Sequence, residues 1–325
     1  MNSIAIIGCG LIGTKRAQAA GDCLIRLCCD TVRARADQLA AGFPGAESTA
    51  DWRAAATHPE VDIVIVATTH DQLAPIAEAA AAAGKHVLIE KPGGRRAAEL
   101  DPVLREARRG GVKVRVGFNH RYHRAMQKAH QILLAGELGD LMFIRGRYGH
   151  GGRPGYEKEW RADPQLSGGG ELLDQGIHLI DLSRWFLGEF QQASGLIATY
   201  FWDMPVEDNA FLTLMTARGQ TAFLHASWTE WKNLFSLEIY GRHGKLEISG
   251  LGGSYGVERL AHYKMSPDMG PPATDIWEFP MADNSWQVEF AEFLEDIRLG
   301  RDPVPGIGDA QAALRVIERI YSEPR

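Results

Sequence analysis

Cysteine is scarce and confined: Cys9, Cys23, Cys28 and Cys29 are the only four, all within the first thirty of 325 residues. Their spacing offers neither a disulfide framework nor a zinc site, so a reducing cytoplasm is expected and no metal. Cys28 and Cys29 are adjacent in a predicted strand and point to opposite faces as small apolar fillers. No apolar run approaches the roughly 20 residues that span a bilayer. No basic region precedes the first apolar residues, so neither a signal peptide nor a membrane partner is expected. Charge of one sign is also missing: the net charge is −6 without long runs of like charges, which gives no nucleic-acid footprint. No internal repeat is present.

What is there is ordinary in amount, with 45% hydrophobic and 23% charged residues, and informative in order. The length suits about two domains of roughly 150 residues. Over residues 1–120, short β-rich runs alternate with alanine-rich helical runs. Candidate strands are Ser3–Gly8, Leu24–Asp30, Ala46–Ser48, Asp62–Ala67, His86–Glu90 and Val112–Phe118. That pattern predicts an α/β Rossmann domain with a doubly wound parallel sheet. Residues 121–325 read differently. A helix near Tyr122–Ala135 and a strand at Leu141–Tyr148 precede a Gly/Pro-rich loop, His150 to Gly170. Strand candidates follow at Leu196–Trp202, Ala210–Ala217, Gln220–Thr229, Leu234–Tyr240 and Lys245–Gly250, then helices at Ser285–Leu299 and Gly308–Tyr321. This predicts an α+β domain with a large, mostly antiparallel open sheet.

Gly8-Cys9-Gly10-Leu11-Ile12-Gly13 matches G-x-G-x-x-G at the end of the first strand. Gly8 permits the tight turn, Gly10 lets backbone approach a pyrophosphate, and Gly13 lets helix and strand pack closely. Leu11 and Ile12 open the helix, whose N-terminal N–H groups favour phosphate. Asp30 ends the second strand, where a carboxylate accepts ribose hydroxyls and repels a 2′-phosphate, favouring NAD over NADP. Arg33 and Arg35 stand nearby, and an arginine at this turn can accommodate that phosphate.

Further on, Ser167-Gly-Gly-Gly-Glu-Leu-Leu-Asp-Gln-Gly-Ile-His178 runs from a glycine stretch into a predicted helix. There Asp174 and His178, four apart, share one face. A carboxylate beside an imidazole suits proton transfer near neutral pH. The glycines are expected to allow close approach of substrate or nicotinamide.

With Glu90-Lys91-Pro92 after the strand His86–Ile89, three motifs stand in order. The chain resembles the glucose–fructose oxidoreductase / inositol dehydrogenase / rhizopine-catabolism family of NAD(P)-dependent oxidoreductases over nearly its whole length. The resemblance implies that Lys91 lies near the nicotinamide and a substrate hydroxyl, beside Glu90. It implies that Asp174 is the substrate-binding acid and His178 the proton-transfer base, and that the Lys-Pro bond is often cis. By the same resemblance, Thr68, Thr69 and His70 would occupy the turn beside the nicotinamide ribose. Here Ala67-Thr68-Thr69-His70-Asp71-Gln72-Leu73 lacks the family's usual proline and later histidine, and has His70 where asparagine is usual. After Pro92, Arg95 and Arg96 are expected to face solvent.

The residues support the chemistry independently. Oxidising a secondary alcohol needs a base for the hydroxyl proton, which His178 suits, and positive charge where alkoxide character develops, which Lys91 suits. The exchange of those two roles stays open. Candidate substrate contacts are Lys91, Asn119, His120, Tyr148, Arg153, Trp160, Asp174 and His178, with His123 close by. Aromatic and polar groups together suit a sugar ring, and a basic excess leaves room for a uronate, sugar phosphate or nucleotide-linked sugar. The expected protein is an NAD-dependent dehydrogenase of a sugar, sugar derivative or polyol. The alternatives are an NAD-dependent glycosidase using transient oxidation and a non-enzymatic nucleotide-sensing regulator. By resemblance, the sheet between Leu196 and Gly250 pairs subunits into a homodimer or homotetramer, with Trp202, Trp228 and Trp231 as interface candidates.

Overall fold

The computed structural model describes residues 2–268 and 270–322. The chain divides into two compact units: Met1–Phe118 with Gln165–Gly168 and Trp286–Ala312, and Asn119–Pro164 with Gly169–Ser285 and Ala313–Arg325.

The first unit is built on six strands: β1 (Ser3–Ile7), β2 (Leu24–Cys29), β3 (Glu47–Thr49), β4 (Ile63–Val66), β5 (His86–Glu90) and β6 (Val114–Gly117). All pair in parallel, in the order β3-β2-β1-β4-β5-β6. Every residue of β1 and β4 is buried, as central parallel strands covered on both faces must be. Strand order reverses between β1 and β4, and ligands of such sheets bind outside the carboxyl ends of the strands at that point. The glycine fingerprint follows β1, the Thr68–His70 turn follows β4, and Lys91 follows β5.

Where the sequence suggests one continuous second half from residue 121, the helix Ser285–Leu299 instead gives most of its length to the first unit. Phe290 and Phe293 are buried in the same core cluster as Ile4, Ile6, Ile63 and Leu88. Aromatic residues on a helix face declare that it packs, but not against which core.

The second unit carries eight strands: β7 (Leu141–Gly149), β8 (Phe190–Ala198), β9 (Asn209–Thr216), β10 (Thr221–Ser227), β11 (Leu234–Gly241), β12 (Gly244–Ser249), β13 (Glu258–Lys264) and β14 (Thr274–Phe279). Their order is β14-β13-β12-β11-β7-β10-β9-β8, antiparallel except for β7 beside β10. β13 and β14 have no counterpart among the sequence-predicted strands. β14 is an edge strand, largely exposed, so burial imposes no apolar alternation on it. β8 also starts earlier than expected and stops at Ala198. The buried Asp208 carboxylate accepts the N–H groups of Tyr200, Phe201 and Trp202 at 2.8–3.1 Å, and so takes them out of the ladder.

One face of this sheet buries Ile144, Tyr148, Leu224, Leu237 and Ile239 beneath the helix Ile177–Leu187. A Cβ at Gly146 would lie 3.0–3.2 Å from the side chains of Leu224, Leu237 and Leu179, so glycine lets helix and sheet close up. The opposite face holds the exposed Leu196 and Phe223 and a charged ladder in which Glu238 binds Arg145 and Lys245. Trp228 does not belong there. It is fully buried, packed with Tyr156 and Val206, which removes it from the expected interface tryptophans.

Candidate active site

In the first unit the glycine fingerprint is set by contacts a side chain would break. Gly8 adopts φ +96°, and a Cβ there would lie 2.2 Å from the Ala67 carbonyl oxygen. At Gly13 it would lie 1.8 Å from the Gly8 carbonyl oxygen. Gly10 is different: among the described residues, its chain neighbours aside, nothing lies within 4 Å of its would-be Cβ, so there the open space suits an approaching pyrophosphate. The following helix, Leu11–Gln18, has no side-chain cap, which leaves its first N–H groups and its dipole to an anion. Leu11 is exposed and Ile12 half-buried beside this loop.

Asp30 is buried and bound to backbone: Oδ2 accepts from the Cys9 N–H at 2.9 Å and Oδ1 from the Val32 N–H at 2.8 Å. It thereby ties the fingerprint loop to the end of β2, and each carboxylate oxygen keeps a second lone pair for a ribose hydroxyl. The exposed Arg33 is engaged by Asp37 at 2.8 Å and by Ser48 at 3.0 Å, which draws its charge away from a 2′-phosphate role.

Thr68 and Thr69 are half-buried, and Thr69 Oγ1 donates to Asp71 Oδ1 at 2.6 Å. His70 is buried with Nδ1 2.8 Å from the Ser167 carbonyl oxygen, so the residue that departs from the family pattern anchors the Gln165–Gly168 segment. Arg95 anchors it as well: its guanidinium donates to the Gln165 carbonyl at 2.7 Å and pairs with Glu99 at 3.1 Å. Arg95 is therefore half-buried and bonded rather than solvent-facing, while Arg96 is exposed. Glu90 accepts from Arg16 Nε at 2.6 Å, and Arg16, itself buried, also holds Glu289 at 2.5 Å. Lys91 is half-buried at the end of β5, before a cis Lys91–Pro92 bond. Arg16 escaped sequence reasoning because a basic residue on a helix ordinarily faces water.

In the second unit the segment that carries Asp174 is a π turn, Leu172–Gly176, running into the helix Ile177–Leu187. Such turns are rare and concentrate at functional sites. The Gly168–Gly170 run that leads to it is explained by the protein's own atoms. A Cβ at Gly168 would lie 2.5 Å from Arg95 Cβ, one at Gly169 2.1 Å from the Tyr321 hydroxyl, and one at Gly170 2.0 Å from the Glu207 carbonyl oxygen. Packing within the protein thus accounts for these glycines without the close approach of substrate or nicotinamide that the sequence suggests. Glu207 Oε1 accepts from Gly170 N, Leu172 N and Tyr321 Oη at 2.7–3.1 Å. Burial nonetheless pushes the Glu207 carboxyl up from its ordinary value.

Asp174 and His178 are both buried. The His178 ring stacks on His120, centroids 3.8 Å apart, and His120 Nδ1 lies 3.2 Å from Asn119 Oδ1. Asn119 in turn donates to Ser285 Oγ at 2.9 Å. Tyr148 from β7 stands 5.2 Å from His120 and 6.2 Å edge-on to His178. Burial, Tyr255 and Glu171 hold the Tyr148 phenol well above its usual range, so it is a proton donor in hydrogen bonds. His123 is occupied elsewhere, with Nδ1 3.2 Å from Glu258.

Asp174 Oδ2 accepts from Arg161 Nε at 2.9 Å, and the Arg161 guanidinium lies 4.6 Å over the ring of the half-buried Trp160. Arg153 is exposed and pairs with Glu159 at 2.5 Å. The structure thus brings together Asn119, His120, Tyr148, Asp174 and His178, and ranges Trp160 and Arg153 behind Arg161 and Glu159. Sequence reasoning placed Arg161 only among the basic residues of the loop Arg145–Asp163 that should reach toward the active site, without its pairing to Asp174, and passed over Tyr255. These signals are tertiary, since both residues sit in single-turn segments without periodicity.

Two family models match: residues 2–118 match the oxidoreductase family, NAD-binding Rossmann fold, and residues 126–247 match the GFO/IDH/MocA C-terminal domain. Levoglucosan dehydrogenase of Pseudarthrobacter phenanthrenivorans is 31% identical over 57% of this chain and 48% of its own length. The chain therefore spans about half the length of that relative. Inositol 2-dehydrogenase of Salmonella typhimurium is 24% identical over 92% of this chain and 86% of its own. Among solved structures, levoglucosan dehydrogenase in complex with NADH and L-sorbose superposes with a TM-score of 0.88 at 22% identity, covering 99% of this chain and 96% of that one. An aldose-aldose oxidoreductase from Caulobacter crescentus complexed with glycerol gives a TM-score of 0.83 at 27% identity, covering 98% and 96%.

Proposed function

This chain belongs to the GFO/IDH/MocA family of oxidoreductases, with an NAD-binding Rossmann domain, and we propose that it oxidises a secondary hydroxyl of a sugar or polyol with NAD. The observation that carries this reading is the buried cluster of Asp174, His178, His120 and Tyr148 in a chain that also presents a nucleotide fingerprint and a strand-end lysine. Gly8–Gly13 and the helix Leu11–Gln18 hold the pyrophosphate, and Asp30 the adenosine ribose. When bound, the nicotinamide supplies the hydride acceptor. His178 takes the hydroxyl proton as the carbon–oxygen bond becomes a carbonyl, and Lys91 offers positive charge to the developing alkoxide. Asp174 grips a neighbouring hydroxyl. A spectrophotometric screen of aldoses, polyols, anhydrosugars and uronates with NAD tests the proposal: reduction of NAD on at least one neutral member is expected. Silence across the panel in both directions sinks it.

Asp30→Ala is expected to weaken NADH binding by about 1–3 kcal/mol, because a charged, buried hydrogen-bonding group is lost. A fluorescence titration measures this directly. Tighter binding of NADPH than NADH by the unaltered protein contradicts the role given to Asp30.

The open face with Leu196, Phe223 and the Arg145–Glu238–Lys245 ladder supports pairing of subunits through the second sheet. Light scattering is expected to report a dimer or tetramer, and a monomer at all concentrations rules the pairing out. No helix among the described residues is long and apolar enough to cross a membrane. The free cysteines Cys9, Cys23, Cys28 and Cys29 support a cytoplasmic location.

A further inference from the structure

Building on the reading of Asp174 as the substrate-gripping acid, we propose that Arg161 is the positioning residue of this site. It holds Asp174 ionised and aimed, and fits the site to an uncharged polyhydroxyl substrate rather than one bearing a carboxylate or phosphate.

Arg161 sits in the single turn Trp160–Ala162 and reaches Asp174 Oδ2 with Nε at 2.9 Å. On its other side a terminal nitrogen lies 3.7 Å from Glu159 Oε2, and the other Glu159 oxygen is held by Arg153 at 2.5 Å. The Trp160 ring supports the guanidinium plane from 4.6 Å, which removes rotamer freedom that the long side chain otherwise keeps. Charges alternate along Arg153, Glu159, Arg161 and Asp174 and sum to zero. An anionic substrate would need a cation from this row and would leave a half-buried carboxylate uncompensated, a costly exchange. A neutral polyol needs only donors and acceptors, which the row supplies.

The other groups whose charge is felt at Asp174 do not take over this role. Burial pushes the His150 imidazole down from its ordinary value, so it is neutral near pH 7, and its Nδ1 accepts from Gly152 N at 2.9 Å. Burial pushes the phenols of Tyr148, Tyr156 and Tyr255 up, so they are uncharged. Glu171, close to all three phenols, is acidic. Arg161 keeps its charge: burial opposes it, but Asp174, Tyr156 and Glu159 together hold the guanidinium above its ordinary value.

The test uses the full-length protein with NAD and its best neutral substrate, comparing R161K, R161Q, D174N and the double variant R161Q/D174N across pH. R161Q is expected to lower kcat/KM by about 10–100-fold, the worth of a charge-assisted hydrogen bond. It should also move the acid limb of the profile to higher pH, because the carboxylate loses its cation. R161K, which keeps the charge without the fork, should recover part of the rate and most of the limb. In the D174N background R161Q should cost little more, since the two side chains act as one unit. NADH binding by fluorescence and thermal melts should be unchanged for R161K. An unmoved acid limb in both Arg161 variants, or an undiminished R161Q loss in the D174N background, overturns the positioning role. A native preference for a uronate over its matched aldose, abolished in R161K, overturns the fit to neutral substrates. Native turnover in D174N would instead fault the assignment of Asp174 itself, whatever Arg161 does.

Discussion

Replacing His178 by alanine is expected to lower turnover roughly 10²–10⁴-fold, the usual worth of a positioned general base. The loss should fall on kcat with little change in NADH affinity, because the fingerprint residues belong to the other unit. Stacking at 3.8 Å on His120 fixes the ring plane, so His178→Asn is expected to fare little better than alanine. Lys91→Ala should cost a comparable factor. The two variants divide the roles that sequence leaves interchangeable: the one whose loss flattens the pH dependence of kcat carries the proton. Near-native turnover in both, measured on the best substrate, would place the chemistry elsewhere.

Gly13→Ala is expected to abolish measurable NADH binding or to prevent folding. A Cβ there would lie 1.8 Å from the Gly8 carbonyl oxygen and 3.4 Å from Ile6, so either the fingerprint turn or the helix must move. Overpacking typically costs about 1–3 kcal/mol where side chains yield, and here the obstacle is backbone. Gly10→Ala is the informative contrast, since among the described residues its Cβ meets nothing beyond its chain neighbours within 4 Å. It should fold with an unchanged melting temperature and still bind NADH poorly, its methyl occupying ligand space. Titration and thermal melts on the pair distinguish a turn built for packing from one built for phosphate. Equal binding by Gly10→Ala and the native chain would refute the pyrophosphate assignment.

Local patterns were legible in the sequence because their causes are local. The fingerprint from Gly8 to Gly13, the strand ends at Asp30 and Glu90, and the helix start near Gly170 follow from backbone freedom and periodicity within a few residues. What was not legible depends on partners far along the chain. Trp228 looks like an interface residue until Tyr156 and Val206 close over it. Gly169 looks made for a ligand until Tyr321 arrives at 2.1 Å. His70 reads as a departure in a cofactor turn, yet Ser167, ninety-seven positions on, supplies its partner. The π turn at Leu172–Gly176 leaves no compositional trace, because its residues also suit an α-helix. For Asp174, α-helical spacing suggested a face shared with His178, but the segment is a π turn, and only the folded chain brings Arg161 to its carboxylate.

The return of Trp286–Ala312 to the first unit bears on how the chain is made. A ribosome releases the nucleotide fingerprint first, but Phe290 and Phe293, which complete the core around Ile4, Ile6 and Leu88, emerge almost three hundred residues later. Arg16 and Arg115, both buried, must likewise wait for Glu289 and Asp296. Until then Arg16, on the helix Leu11–Gln18, and Arg115, on β6, lack carboxylates that offset the cost of burying their charge. Completion of the nucleotide unit thus waits until Trp286–Ala312 has been made. Any shortened version ending near Phe118 would keep the recognisable motif and lose the side chains that finish its interior.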